Sequence, residues 1–569
     1  MDRAEQTAQS ATDRAAQLSA AHASSNVLAA SQQPQWGRLA GVMALVVLVL
    51  GALPFLKGGL VIAKHEGDTL HLADIVLRMA EFGQVPHLDF MTPLGVLSVA
   101  PIAWFVEAGI NLGHAFFMAQ LLVAVLLFVP AAYAAGTRLT MPWAALFGAY
   151  VMVLTLALVH GEAQPAVSIS MHYNRWAWAV GYVVILLALP PTAGEAAHSG
   201  ARGGIEGVLI GLGMAVLGLL KATYAVALAP AIIVVLLVRG QGRSLLAALI
   251  AGLVVMGAAA LVWGPAFWPA YVRDLLAVAG SETRAAPGGD LADIASAPEF
   301  FAGNLALLAG IVLLRRSERM AEGLTLLLLA PGFIYITYQN YGNDPQWLVL
   351  LALILLSARG SASYQGALRI TGAVAMAIGF GSLLNLTTSP IRHYLLESKT
   401  PTALITGDPR AADIISSKAR LYSVSQSQQL TGADSPYAAA AYVDPEAEPV
   451  RVNGEVLADC DLSSGFNAYF EVASRDLEGA GYGGSAVLAA DLLGAFWLYG
   501  DFKPVEGSAP WYYAGASGIE NADYVLVPIC PTGRSQRKAI LKGIDAAGWG
   551  LEEVRRTALY ILFRPIMPK

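Results

Sequence analysis

Between residues 38 and 387 the chain is a succession of long apolar runs separated by short polar breaks, and few folds accommodate that pattern. A helix crossing the hydrocarbon core of a bilayer needs about 20 mostly apolar residues. Runs of that kind, some of them shorter, occupy approximately 38–56, 113–135, 142–160, 176–191, 205–220, 223–239, 244–263, 300–314, 321–338, 346–358 and 368–387. Only 13% of the 569 residues are charged, against roughly 25% in a typical soluble domain. A soluble fold this poor in charge could not cover its surface. Residues 388–569, however, have ordinary globular composition, so two solvents are implied. The reading is a polytopic α-helical membrane protein of about eleven spans carrying a folded C-terminal α/β domain. A net charge of −6 excludes a broadly basic, nucleic-acid-type surface. Residues 1–37, rich in Ala, Gln and Ser, read as a disordered cytoplasmic tail, not a cleaved signal, because the first apolar run lacks a small-residue cleavage site.

Orientation depends on residues 94–110, LGVLSVAPIAWFVEAGI, which form either a twelfth span or an apolar helix that does not cross. Short cytoplasmic loops are enriched in Lys and Arg. If 94–110 does not cross, the inner loops collect Arg138, Arg202, Arg239, Arg243, Arg315, Arg316, Arg319, Arg359 and Arg369, and the short outer loops keep Arg175 and Lys221. We therefore read 38–387 as the membrane domain with a long first outer loop, 57–112. Residues 388–569 then lie outside, in the periplasm of a bacterial inner-membrane protein.

That first outer loop carries the chemical signal. Leu72, Ile75, Val76 and Met79 recur at helical spacing while Asp74, Arg78 and Glu81 take other faces, which predicts an amphipathic helix lying at the membrane interface. Gly83 and Pro86 end it. Glu66 and Asp68 precede it and Asp89 follows it. The ordered set Asp68, then Gly83-Gln84-Val85-Pro86, then Asp89-Phe90 and Pro93 resembles the GT-C superfamily of membrane glycosyltransferases, which includes protein O-mannosyltransferases and aminoarabinose transferases. The resemblance covers about 40 residues by motif and the span pattern through residue 387 by architecture. Many members carry a second acid directly after the first. Here Thr69 follows Asp68 and Glu66 precedes it, which leaves open which carboxylate is catalytic.

The resemblance implies an inverting transfer of sugar from a polyprenyl-phosphate carrier to a glycolipid, polysaccharide or protein acceptor. A carboxylate suits the role of general base, and the lipid phosphate that leaves needs cations. Asp68 and Asp89 are the catalytic candidates. Glu66, Arg78, His87, Tyr173, Asn174, Arg175 and Lys221 are the candidates for binding substrate. Each has a plainer role open to it: Asp68 as a helix cap, Asp89 as part of the Pro86–Pro93 turn, Arg78 as a snorkelling interfacial residue. Lys221, between two apolar runs, is expensive unless it meets water or a partner. The polar stretch 338–344, YQNYGND, reads as a turn or a second polar cluster. His65, His71, His87, His160 and His172 fall near the outer surface, so a divalent cation is possible, though no cofactor is required by the sequence.

In the C-terminal domain, strands are expected at 402–406, 450–458, 486–490, 523–528 and 559–564, with helices at 409–420, 467–478 and 534–547. Cys460 and Cys530 form a disulfide if the domain faces an oxidising compartment, or remain two buried thiols. A transporter or channel is the alternative class, but it predicts ionisable residues in mid-span and internal repeats, and neither stands out. A non-catalytic membrane assembly protein of the cell envelope is a third.

Overall fold

The structure, a computed structural model, describes residues 35–161, 165–191, 200–281, 291–340, 345–428, 436–440 and 449–568. The N-terminal tail and residues 341–344 of the YQNYGND stretch lie outside the described residues, apart from the last of the tail. In chain order the elements begin with α1 (Trp36–Lys57), β1 (Leu60–Val61), α2 (Glu66–Phe82), α3 (Ala100–Glu107), α4 (Leu112–Arg138), α5 (Met141–Leu156), α6 (His172–Ala188), α7 (Gly200–Leu220), α8 (Ala222–Val238) and α9 (Gly242–Trp263). Then come α10 (Phe267–Ala279), α11 (Leu291–Ser296), α12 (Pro298–Arg316), α13 (Met320–Gln339), α14 (Trp347–Ser357) and α15 (Ala362–Leu395).

Each of the eleven apolar runs is a helix. Seven of them, α1, α4, α7, α9, α12, α13 and α15, are long and apolar enough to cross a membrane, and α5, α8 and α14 are shorter apolar helices. The last span is longer than its apolar run, ending at Leu395 and so carrying the chain past residue 388 as helix. Residues 94–110 fold into a single 3₁₀ turn, Val96–Ser98, followed by α3. Eight helical residues rise about 12 Å, far less than a hydrocarbon core of ~30 Å, so this segment does not cross. The chain can approach closely there because residue 95 is glycine: a Cβ on Gly95 would stand 2.1 Å from the Leu219 carbonyl oxygen.

The C-terminal domain continues with β2 (Pro401–Ala403), β3 (Ile414–Ser417), α16 (Lys418–Tyr422), β4 (Ser425–Gln428), β5 (Arg451–Val452), β6 (Glu455–Val456), β7 (Cys460–Ser464) and α17 (Phe466–Gly479). It closes with β8 (Val487–Ala489), β9 (Tyr524–Pro528), α18 (Arg534–Ala546), β10 (Gly550–Arg556) and β11 (Tyr560–Ile566). Its main sheet has the order β10-β11-β9-β8, antiparallel except for the parallel β8–β9 pair. Successive side chains of a strand face opposite ways, and here both faces are covered. Val525, Val527, Ile561 and Phe563 pack with Ile540 and Ile544 of α18. Leu526, Tyr560 and Leu562 share a core with Phe470, Ala473 and Leu477 of α17. Cys460 and Cys530 are joined as a disulfide, tying β7 to the loop before α18.

The expected helix at 409–420 is not one. Pro409–Ala411 is a 3₁₀ turn, Ile414–Ser417 is β3, and only Lys418–Tyr422 is helical. The cause is a partner that sequence periodicity does not show. β3 pairs in parallel with β1 from the first outer loop, Leu60 with Ile414 and Val61 with Ile415. Asp413, next to that pairing, accepts hydrogen bonds from the Gly113 and His114 amides, both at 2.9 Å, and so caps α4. A carboxylate at a helix N-terminus is worth about 1–2 kcal/mol. The domain is thus bound to the bundle end formed by the C-terminus of α1 and the N-terminus of α4. At the opposite end of α4, Arg138 pairs with Glu206 at 2.6 Å and reaches the carbonyls of Leu187 and Leu189. The arginine-bearing loops and the C-terminal domain therefore occupy opposite ends of the bundle.

Candidate active site

The helix after the first span forms as its sequence suggests, with Gly83 closing it in the left-handed region at φ 63° and donating its amide to the Arg78 carbonyl. Its surroundings differ from the expectation. Every residue from Thr69 to Arg78 is buried, so α2 does not lie on a membrane surface with its polar face in water. At about 100° per residue, Gly67, His71, Asp74 and Arg78 form one stripe, and that stripe faces the C-terminal domain. His71 lies against Trp511, with ring centroids 5.4 Å apart. Arg78 donates to the Val505 carbonyl at 2.8 Å and to Ser508 Oγ at 3.3 Å. It also pairs with Asp74 one turn back, both side chains essentially inaccessible. Arg78 is therefore neither a snorkelling residue nor available to a substrate phosphate. Its guanidinium is occupied in fastening α2 to the domain.

The N-terminal end of α2 is different in kind. Asp68 sits in the first turn, partly buried, and its Oδ2 accepts the Ser170 hydroxyl at 2.9 Å. Burial pushes its carboxyl above the usual aspartate range, with the Ser170 bond opposing that shift. The Ser170 carbonyl in turn accepts from Arg175 Nη1 at 3.2 Å, and the same nitrogen reaches the carbonyls of Val159 and His160. Arg175 is 1% exposed, and its Nη2 has no partner among the described residues. Next to it, Asn174 Oδ1 accepts from Lys221 Nζ at 2.9 Å, while Asn340 Oδ1 takes a second Lys221 bond. The Tyr173 ring lies 5.3 Å from that ammonium. Lys221 is placed there because it is the single extended residue between α7 and α8. A carboxylate and a serine hydroxyl are thus bonded to each other, one buried cation meets the same serine's carbonyl, and a second is bonded to the residue preceding that cation in the chain.

His65 completes this end. It is the residue before α2, held at φ 63°, a conformation uncommon outside glycine. Its Nδ1 is 3.0 Å from Ser168 Oγ and its ring lies 4.9 Å from that of His160. Burial, with Lys64 and Arg420 nearby, holds it down to about 4, so the imidazole is neutral at physiological pH. Asn340 belongs to the polar stretch 338–344 marked in the sequence, whereas Ser168 and Ser170 were not marked, since isolated serines carry no spacing signal.

Three further candidates are placed elsewhere. Glu66 is held in a two-pronged pair by Arg420 of α16. Asp89 Oδ2 accepts the Val85 amide at 2.7 Å, so this carboxylate closes the turn after α2. His87 is fully buried, its Nδ1 3.0 Å from Asp274 Oδ2, and Arg273 donates to its carbonyl at 2.8 Å. Asp68 and Arg78 are separated along the helix by about 15 Å, and the Asp89 turn stands at the Arg78 end, where Gly507 donates to the Asp89 carbonyl at 2.7 Å. His172 Nε2 meets the Ser98 carbonyl oxygen at 2.8 Å, and among the described residues no three His, Cys, Asp or Glu side chains come together to hold a metal.

No protein-family model matches the chain, and no curated protein does. Among solved structures, the chain is similar to ArnT from Cupriavidus metallidurans in the apo state, at 12% identity and TM-score 0.35, covering 92% of this chain and 97% of that one. It is also similar to ArnT from the same organism bound to undecaprenyl phosphate, at 12% identity and TM-score 0.36, covering 92% and 98%.

Proposed function

We propose that the chain is a GT-C-type inverting glycosyltransferase that moves a sugar from a polyprenyl-phosphate carrier to a glycolipid, polysaccharide or protein acceptor. The observation that carries this reading is Asp68 bonded to Ser170, whose carbonyl accepts from Arg175, with Lys221 bonded to Asn174, the residue before Arg175 in the chain. It puts a base and cations together at the end of the bundle that bears the C-terminal domain. The opposite end holds the arginine-rich loops, so by the preference of such loops for the cytoplasm the site faces the periplasm of a bacterial inner membrane.

The reaction is a single displacement. The acceptor oxygen or nitrogen attacks the anomeric carbon as Asp68 takes its proton. The bond from the anomeric carbon to the phosphate oxygen breaks, and its electron pair leaves with the polyprenyl phosphate. A carboxyl raised above the ordinary aspartate range is, once ionised, a stronger base. Ser170 fixes the Asp68 rotamer by donating to one oxygen, leaving the other for the acceptor. The unused Arg175 Nη2 and the Lys221 ammonium meet the charge that develops on the leaving phosphate. Tyr173 and Asn174 orient Lys221.

Asp68→Asn and Asp89→Asn, each assayed in membranes for release of polyprenyl phosphate from its sugar conjugate, test the proposal. Loss of a general base reduces the rate on the order of 10²–10⁴-fold, expected for Asp68→Asn alone. Asp89→Asn keeps the turn-closing oxygen and stays within about tenfold of the parent. Undiminished transfer by Asp68→Asn would sink the mechanism.

A further inference from the structure

The stripe of α2 that meets the C-terminal domain contains an imidazole nitrogen with nothing to bind among the described residues. His71 is 9% exposed, and its Nε2 is buried without a hydrogen-bond partner there. Burial alone holds this imidazole down to about 3, so it is neutral and able to donate or accept a hydrogen bond. A buried polar atom left unpaired costs roughly 1–3 kcal/mol, a cost that a bound partner removes. His71 stands one turn from Asp68 on adjoining faces of the helix, about 60° apart. The surface over it is an indole: the Trp511 ring centroid is 5.4 Å from that of His71, and a Cβ on Gly67, the neighbour of Asp68, would stand 4.0 Å from the Trp511 ring. Trp511 itself is partly exposed. Its backbone is fixed, since Tyr512 donates to the Leu492 carbonyl at 2.9 Å and Gly494 to that of Pro510 at 3.2 Å.

We propose that Trp511 and His71 form a saccharide subsite beside Asp68, with the indole stacking on a sugar ring and His71 Nε2 bonding one of its hydroxyls. A sugar ring has an apolar C–H face and a polar hydroxyl edge, and this pair offers the matching groups: an apolar aromatic plane and an unsatisfied nitrogen on the neighbouring ring. An aliphatic ligand would leave Nε2 unpaired, and an anion finds no positive charge on a neutral ring. The ligand reaches Nε2 by rotation of the indole side chain, because the backbone on either side of it is held. In the proposed reaction this subsite receives the acceptor, which places the C-terminal domain in the role of choosing it. The inference takes its location from the Asp68 reading, but its test does not depend on transfer.

The full-length protein, purified in detergent, is titrated calorimetrically with the methyl glycosides of a hexose, a pentose and an aminohexose. Saturable binding of at least one is expected. It weakens at least tenfold in Trp511→Leu, which keeps apolar bulk without an aromatic face, and in His71→Leu. It stays within threefold of the parent in Trp511→Phe. Size-exclusion profiles matching the parent's establish that the leucine variants are folded, and Trp511→Phe paired with His71→Gln replaces them if they are not, with loss expected only in the second. Equal binding in the parent and the leucine variants, or no saturable binding of any glycoside, overturns the subsite. If Asp68→Asn transfers sugar normally while glycoside binding still depends on Trp511, the general base is wrong and the subsite stands.

Discussion

Replacing Arg78 with Met removes the guanidinium that joins α2 to the C-terminal domain and leaves Asp74 in place. Asp74 is 0% exposed and its cationic partner is Arg78. Breaking a buried pair by removing one member costs about 3–5 kcal/mol, because the remaining charge is stranded. The Val505 carbonyl and the Ser508 hydroxyl lose a donor as well, but these terms share one side chain and are not additive. The working figure therefore stays at about 3–5 kcal/mol. The double variant Asp74→Leu with Arg78→Met removes both charges, and a buried pair replaced by apolar groups of similar size is often neutral. It should recover most of the loss. Denaturant midpoints of the purified protein in detergent measure stability, and limited proteolysis of the 505–511 loop reports its docking. The single variant should unfold earlier and be cut faster, with the double variant close to the parent. A single variant less than about 1 kcal/mol down, or a double variant worse than the single, would refute the fastening role. An Arg78→Met protein that is stable but loses donor binding would return this residue to the substrate.

Other outcomes follow from the same geometry. The rate of transfer should rise with pH through an ionisation above the ordinary aspartate range, because the base must be unprotonated and burial raises Asp68; the acid limb of the kcat/KM profile should vanish from the residual activity of Asp68→Asn. Asp491, buried and pushed up to about 6 although it accepts bonds from Thr532 and Gly533, holds its proton more tightly in the folded than in the unfolded chain. Its contribution is therefore fully present below its ordinary value of about 4 and is lost as pH rises to about 6; unfolding midpoints across that window should show this slope in the parent and not in Asp491→Asn. The disulfide between Cys460 and Cys530 closes a separation of 70 residues, for which chain entropy gives about 4 kcal/mol. Cys460→Ser with Cys530→Ser should lower stability by up to that amount, and no change in the denaturant midpoint would show that the unfolded chain is not being constrained.

The amino-acid sequence determined the membrane architecture, because apolar length is a local property: each of the eleven runs is a helix, and residues 94–110 stay too short to cross. It also marked the first outer loop, and Asp68, Tyr173, Asn174, Arg175 and Lys221 within or opposite it. Tertiary structure decided which partner each polar residue meets. Asp68, Glu66, Arg78 and Asp89 are alike in sequence as charged groups near one amphipathic helix. What separates them is the partner each finds across the chain: Ser170 for Asp68, Arg420 for Glu66, Val505 for Arg78, and the nearby Val85 amide for Asp89. The polar stripe that implied water faces the C-terminal domain, since the same amphipathic pattern results whether the polar side meets solvent or another part of the protein. The strand at 414–417 was hidden for a related reason, its pairing being made with residues 60–61, at the far end of the membrane domain in sequence. Local pattern reports how a segment is divided into apolar and polar faces, and only long-range packing decides what each face touches.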